Sequence, residues 1–195
     1  AAFNVMVAVI TLALGNLAGV PFETGGAVIV SGDDPWSEST QVPADSRFLF
    51  EHMRVPVLEP SNSQELKDWV GHAFDLSVHA KLYVGLGVTV MLADGGGTVE
   101  CRPNQWPAIS TKQRVAVETG KIPVEQTVLL PPRTWKQELT FDDRFKLLMK
   151  RCRDLNLNRI LYPIERSWRG GRCERAPIGF ISSGPSYAML TDAYR

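Results

Sequence analysis

Residues 25–47, GGAVIVSGDDPWSESTQVPADSR, hold the transition on which the fold turns: Ala27, Val28, Ile29 and Val30 run straight into a polar loop. The run is too short and too apolar for a surface helix, so it reads as a strand covered on both faces, as in a parallel sheet. The loop leaves the strand at its carboxyl end. In open α/β sheets ligands collect along that edge, because the loops leaving the strands form the crevice there. Asp33, Asp34, Ser37, Ser39, Thr40, Gln41 and Arg47 are therefore the first candidate site residues.

Upstream, residues 5–20 are apolar apart from Thr11, Gly15, Asn16 and Gly19. That is short of the roughly 20 residues that span a bilayer, and the stretch lacks basic flanks and a signal-peptide n-region. It reads as a buried helix on the sheet, broken by Pro21 and Gly25-Gly26, with no membrane involved. Downstream, Asp45 or Ser46 caps a short helix through Met53, and residues 54–58 give a second strand closed by Pro60. Overlapping capping boxes, Ser61 with Gln64 and Asn62 with Glu65, open a longer helix. Its Leu66, Trp69, Val70, Ala73, Phe74, Ser77 and Val78 recur at helical spacing as one core-facing stripe. A charge at Trp69 or Phe74 is then expected to unfold the region. LYVGLGVTV, 82–90, is a third buried strand, completing strand, strand, helix, strand in the α/β manner. The glycines 95–97 read as a flexible turn, since a phosphate loop opens a helix and residues 98–103 do not.

Residues 98–139 read as a connecting segment, punctuated by Pro103, Pro107, Pro123, Pro131 and Pro132, with β-like pieces at 114–117 and 127–130. In 140–176, Thr140 caps a helix with Asp143 in the capping-box place, and Phe141, Phe145, Leu148, Cys152 and Leu155 face inward. Lys146, Lys150, Arg151 and Arg153 lie outside and toward the carboxyl end, where cations complement the helix dipole. Residues 159–162 are an expected edge strand. Arg166, Arg169, Arg172 and Arg175, with Trp168, read as a solvated loop. Residues 178–181 are expected as a buried strand, 182–186 as a turn and Tyr187 onward as a helix, the start of a second α/β unit. The Ser/Gly turn serves equally as an anion seat at the helix N-terminus or as an ordinary connection.

The 195 residues suffice for a real core, about 70% of the unfolded surface being buried at this size. With 44% hydrophobic and 22% charged residues, and Lys+Arg and Asp+Glu both 21, neither disorder nor a nucleic-acid partner is favoured. Cys101, Cys152 and Cys173 show no C-x-x-C spacing and read as reduced thiols. The chain starts at Ala1 in a helical pattern and stops within another, so it reads as a piece of a longer protein. His52, His72 and His79 take surface or packing roles. Two carboxylates 4 Å apart repel by about 4 kcal/mol at an effective dielectric near 20. Neighbours in an extended segment point to opposite sides instead, so Asp33-Asp34 reads as no metal site, with one Asp given to backbone or turn hydrogen bonds. Neither a G-x-S-x-G elbow nor a Ser/His/Asp order is present. The residues by themselves give an α/β ligand-binding scaffold and no reaction, and leave the catalytic residues unassigned.

In order along the chain stand Gly25-Gly26, an apolar strand, Asp33-Asp34-Pro35, Ser37 and Ser39, Pro56-Val57-Leu58-Glu59-Pro60 and Gln64-Glu65. That order resembles the 2-oxoacid:ferredoxin oxidoreductases, closest to the indolepyruvate type. LADGGGTVE, 92–100, then NRI, 158–160, and IGFISSGPSY, 178–187, resemble the long fused bacterial members. The resemblance implies that residues 1–97 are the rear part of a pyrimidine-type thiamine diphosphate-binding domain, and that 177–195 begin a transketolase-C-terminal-like domain. It implies oxidative decarboxylation of a 2-oxoacid on thiamine diphosphate with Mg²⁺, in a cytoplasmic, dimeric parent enzyme. Electrons pass through iron–sulfur clusters to ferredoxin, and coenzyme A takes the acyl group. The family's activating glutamate falls upstream of Ala1, and the diphosphate and cluster ligands fall elsewhere. The serine loop departs from the commoner P-G-x-H-S-S, and Arg47 stands where fused relatives often have an acid. Arg47 then either clamps a substrate carboxylate or pairs with Glu51 on a helix surface. The alternative to the enzyme segment is a non-catalytic α/β binding or assembly module on the same scaffold.

Overall fold

In the computed structural model, which describes residues 2–20, 25–103, 120, 128–161 and 178–193 (side chains from residue 8), the three apolar runs join in one parallel sheet. β1 (Val28–Asp33) and β2 (Val57–Leu58) flank a central β3 (Val84–Thr89). Val28 stands opposite Val84, Asp33 opposite Thr89, and Val57 opposite Gly85. The α/β class is thus as expected, in a small sheet. β2 is shorter than the expected 54–58: Arg54 has φ +54 in the turn after a helix, and Pro56, lacking an N–H, offers only its carbonyl, to Gly85 N at 2.7 Å.

The two faces of the sheet carry different helices. On one, Val28, Leu58, Val84, Leu86 and Val88 meet α3 (Ser63–Ala80) and α6 (Phe141–Asp154) through Ala73, Leu76, Ala80, Phe141 and Leu148. On the other, Ile29, Val57 and Tyr83 meet α1 (Ala2–Ala18) and α2 (Arg47–His52) through Val9, Leu12, Ala13 and Phe50. Gly85 brings Phe50 down onto the central strand, since a Cβ there would lie 3.0 Å from the ring. Short helices α4 (Val90–Asp94) and α5 (Arg133–Glu138) and the terminal α7 (Gly184–Ala193) complete the described elements.

Two buried polar side chains, to which the sequence reading gave no role, tie these layers. Asn16, fully buried near the end of α1, donates from Nδ2 to the carbonyls of Met53 (3.0 Å) and Arg54 (2.8 Å) and accepts from Tyr83 N (2.9 Å). Arg144 of α6 donates to the carbonyls of Asn16, Leu17 and Lys81 at 3.1–3.2 Å, satisfying the ends of α1 and α3. Its guanidinium lies 4.3 Å from the Phe141 ring centroid, and burial lowers its pKa.

Several expectations are corrected. β1 is not covered on both faces: Val30 is 66% exposed. The α3 stripe runs through Trp69, Ala73, Leu76, Ser77 and Ala80, so Val70 and Phe74 sit on its flank, Phe74 being 46% exposed. α1 buries one side only, leaving Ile10 and Leu14 exposed. At the start of α3, Asn62 accepts from Glu65 N and the Glu65 carboxylate turns back to Ser61, accepting from its N–H and hydroxyl. The Ser61 with Gln64 box does not form, because Gln64 bonds Asp68 and Glu100 N. Thr140 does not cap α6, its hydroxyl donating to the Gln137 carbonyl at 2.7 Å. Residues 159–161 are not a strand, nor are 178–181, where Ile178, Phe180 and Ile181 are exposed; the last helix starts at Gly184 rather than Tyr187. Residues 128–130 are not strand, while 114–117, Thr127, Tyr162, the arginines of 165–176 and Cys173 lie outside the described residues. No described helix is long and apolar enough to cross a membrane.

Candidate functional site

The connection leaving β1 passes through α2 on one face, and that leaving β2 passes through α3 on the other. The loops therefore part above β3 and open a crevice at the carboxyl ends of the strands. Every loop residue expected to face a ligand lies at this edge, but most of the polar groups are engaged with one another.

Asp34 organises the loop from within. Its Oδ1 accepts from Glu38 N (2.8 Å), and its Oδ2 accepts from Ser39 N and Thr40 N (each 2.8 Å), Thr40 Oγ1 (2.9 Å) and Ser39 Oγ (3.3 Å). Burial works to raise its pKa, but the amides of Ser39, Glu38 and Thr40 and the Thr40 hydroxyl outweigh it and bring the carboxyl to about 2. Asp33, pointing the other way, accepts from Ser46 N (3.0 Å) and Ser46 Oγ (2.6 Å) and so fixes the start of α2. Both aspartates, not one, are taken by loop hydrogen bonds. Ser37 holds φ +56 with its hydroxyl buried and unpartnered, and Gln41 is exposed.

Arg47 pairs with Asp45, not with Glu51. Its Nε meets Oδ1 and Oδ2 at 2.8 and 3.1 Å and its Nη2 meets Oδ2 at 2.5 Å, while Nη1 stands 3.8 Å from Glu59. The Asp45 hydrogen bonds raise the Arg47 pKa, and the reciprocal bonds lower that of Asp45. Glu59 also accepts from Ser183 Oγ (2.6 Å), and its carbonyl accepts from Gly184 N (3.1 Å). The turn before α7 is therefore docked on a protein carboxylate rather than open to an anion.

Between these groups lies a cavity of about 20 Å³, lined by Ser31, Asp33, Arg47, Glu59, Thr89 and Pro185. The hydroxyls of Ser31 and Thr89 are buried with no hydrogen-bond partner in the structure. The space is large enough for one water molecule. Ser31, Glu59 and Thr89 were missed in the sequence; the available signal was strand alternation, which puts Ser31 on the face of Asp33 and in line with Thr89.

The described residues do not make a seat for the cofactors the resemblance implies. The cavity is far too small for thiamine diphosphate, no group of three or more His, Cys, Asp or Glu among them is placed to hold a metal, and Cys101 and Cys152 are single free thiols.

Against known proteins, the chain is 30% identical over 168 residues to the indolepyruvate oxidoreductase subunit IorA of Methanothermobacter marburgensis, covering 86% of the chain and 25% of the relative. The IorA subunit of Thermococcus kodakarensis matches at 30% over 172 residues, 87% of the chain and 24% of the relative. This chain is homologous to a segment of IorA. The Pyrococcus abyssi IorA is 47% identical over a shorter stretch of 53 residues, 27% of the chain and 8% of the relative. The chain spans about a quarter of the length of the curated relatives it matches. No family model and no solved structure matches it.

Proposed function

We propose that this chain supplies part of an oxidoreductase that oxidatively decarboxylates a 2-oxoacid, indolepyruvate or a related aryl 2-oxoacid, on thiamine diphosphate, passes the electrons to ferredoxin and forms an acyl-CoA. The observation that carries this reading is the homology to IorA over 86% of the chain, with the Asp33-Asp34-Pro35 loop at the carboxyl edge of a parallel sheet. In this reading residues 1–97 are the rear of the pyrimidine-type domain, 98–139 connect, 140–176 add a helix and an Arg-rich segment, and 177–195 open a transketolase-C-terminal-like domain. Thiamine diphosphate, Mg²⁺ and the iron–sulfur clusters are held by parts of the parent enzyme other than the residues described, and the parent is a cytoplasmic dimer.

A second reading, a non-catalytic binding or assembly module, draws on the way Asp33, Asp34 and Arg47 bond to the loop itself. The test uses the intact polypeptide with its partner subunits: reduction of a viologen dye by indolepyruvate, then pyruvate, with coenzyme A. Reduction that disappears when thiamine diphosphate is withheld supports the enzyme and ranks its substrates. No reduction by folded, cluster-loaded protein sinks both named substrates, and failure to bind thiamine diphosphate in a direct titration then leaves the module.

A further inference from the structure

Where α7 meets the sheet, the receiving side is rigid and the arriving side is not. Glu59 stands between Leu58, the last residue of β2, and Pro60; both neighbours are buried, so its backbone is pinned to the sheet. α7 by contrast buries Gly184 alone, while Ile178, Phe180 and Ile181 before it and Met189 within it are exposed. Segments with few buried apolar contacts are those that open locally at low free energy. The seat of α7 therefore depends on polar contacts more than on burial.

Two of those contacts fall on one residue. The Glu59 carbonyl accepts from Gly184 N at 3.1 Å, and its Oε2 accepts from Ser183 Oγ at 2.6 Å, a charge-assisted bond. Gly184 holds φ +55, and a Cβ there would lie 3.5 Å from the Glu59 Cβ, so the turn lies close against that residue. Arg47 leaves Oε2 to Ser183: its guanidinium is given to Asp45, and its Nη1 stands 3.8 Å from the other oxygen, Oε1. The turn covers the cavity at the carboxyl edge. Pro185 is the part of α7 that lines it, the rest of the wall coming from the three strands, Glu59 and α2. The Ser31 and Thr89 hydroxyls are buried there, and Phe50, only 3% exposed, lines the same space.

We propose that Glu59 is a latch that seats the 183–185 turn across the carboxyl edge of the sheet, so that its release moves α7 aside and opens the cavity holding the Ser31 and Thr89 hydroxyls. Closed, the edge keeps a space of about 20 Å³ with Pro185 as one wall. Open, it loses that wall and presents both hydroxyls and the Glu59 carboxylate in one crevice. The latch is a property of the fold and does not depend on the reaction assigned above.

The test is hydroxyl-radical footprinting of the intact polypeptide that carries this sequence, read by mass spectrometry at single side chains, for the unaltered protein, Glu59→Gln and Ser183→Ala. Phe50 reports the cavity, Pro185 reports the turn, and Phe141, buried on the opposite face of the sheet, reports the fold. Loss of the Ser183 bond is expected to raise oxidation of Phe50 and Pro185 by about three- to tenfold in both variants, with Phe141 unchanged. Unchanged rates at Phe50 and Pro185 in both variants overturn the proposal, because the turn then stays seated without the bond. A rise at Phe141 matching that at Phe50 in both variants overturns it too, the turn then being inseparable from the stability of the sheet. Where the two variants differ, Ser183→Ala decides, since that side chain is exposed: a rise at Phe50 and Pro185 without Phe141 supports the latch, and any other pattern overturns it.

Discussion

Replacing Asn16 by Ala removes one side chain and strands three backbone groups in two different segments. Its amide nitrogen serves the carbonyls of Met53 and Arg54 after α2, and its oxygen serves the N–H of Tyr83 ahead of β3. A buried polar group left unsatisfied costs about 1 to 3 kcal/mol; at the low end, three such groups give about 3 kcal/mol, a large part of the roughly 5 to 15 kcal/mol available to a domain. In urea, with a slope near 2 kcal/mol per M, the midpoint should fall by about 1.5 M with the slope unchanged. Asn16→Asp refines the test: it keeps an acceptor for Tyr83 but turns an oxygen toward two carbonyls, so it should be as damaging at pH 7 and partly relieved in acid, where the protonated carboxyl can donate. A loss below about 1 kcal/mol for the Ala variant would refute the claim that this side chain holds the layers together.

The remaining predictions concern the edge loop and the helices. Asp34 titrates at about 2 when folded against an ordinary 3.8, so its contribution to stability is full above pH 3.8 and is lost as pH falls through about 2; Asp34→Asn should remove that part of the acid slope in melts between pH 2 and 5. Arg151 meets Asp75 with two bonds of 2.7 and 2.9 Å across α6 and α3, at a half-exposed site; Arg151→Ala should lower the melting temperature slightly at low salt and not at all near 1 M, where screening is short-ranged. Trp69→Lys should lower the melting temperature markedly, since the ring packs partly buried against the core and its burial contributes at most about 3 kcal/mol, whereas Phe74→Lys in the 195-residue chain should leave its melting temperature within a few degrees. For Arg47→Lys in the parent enzyme the KM for the 2-oxoacid should not change, since the guanidinium faces Asp45 and Glu59; a marked rise would make it a substrate clamp.

What could be read from the sequence follows the physics that is local. An apolar run ending in Asp-Asp-Pro is a strand followed by a loop whatever surrounds it, and parallel pairing of β1 with β3 follows because the intervening chain contains a crossover helix. The face of α3 was legible only to within the width of one helical position. Leu66, Trp69 and Ala73 fix the line, but Val70 and Phe74 are as apolar as the residues that are buried, and only the structure shows that among the described residues they stay largely exposed. Ile178, Phe180 and Ile181 have the composition of a buried strand, yet in the described structure they have no sheet to join.

The site was legible in position and not in use. Serines, threonines and aspartates after a strand end are equally the composition of a ligand loop and of a loop that bonds to itself, and sequence does not say whether Asp34 takes its hydrogen bonds from a ligand or from residues 38–40. The distances settle that point: its oxygens have five donors within the chain. The charges around Arg47 follow the same logic. Asp33, Asp45 and Glu59 surround one guanidinium that already meets Asp45 with two nitrogens. A carboxylate brought there would face an excess of negative charge. What this edge contributes is a preorganised wall, held by Asp34 from inside and joined to α7 through Glu59 and Ser183.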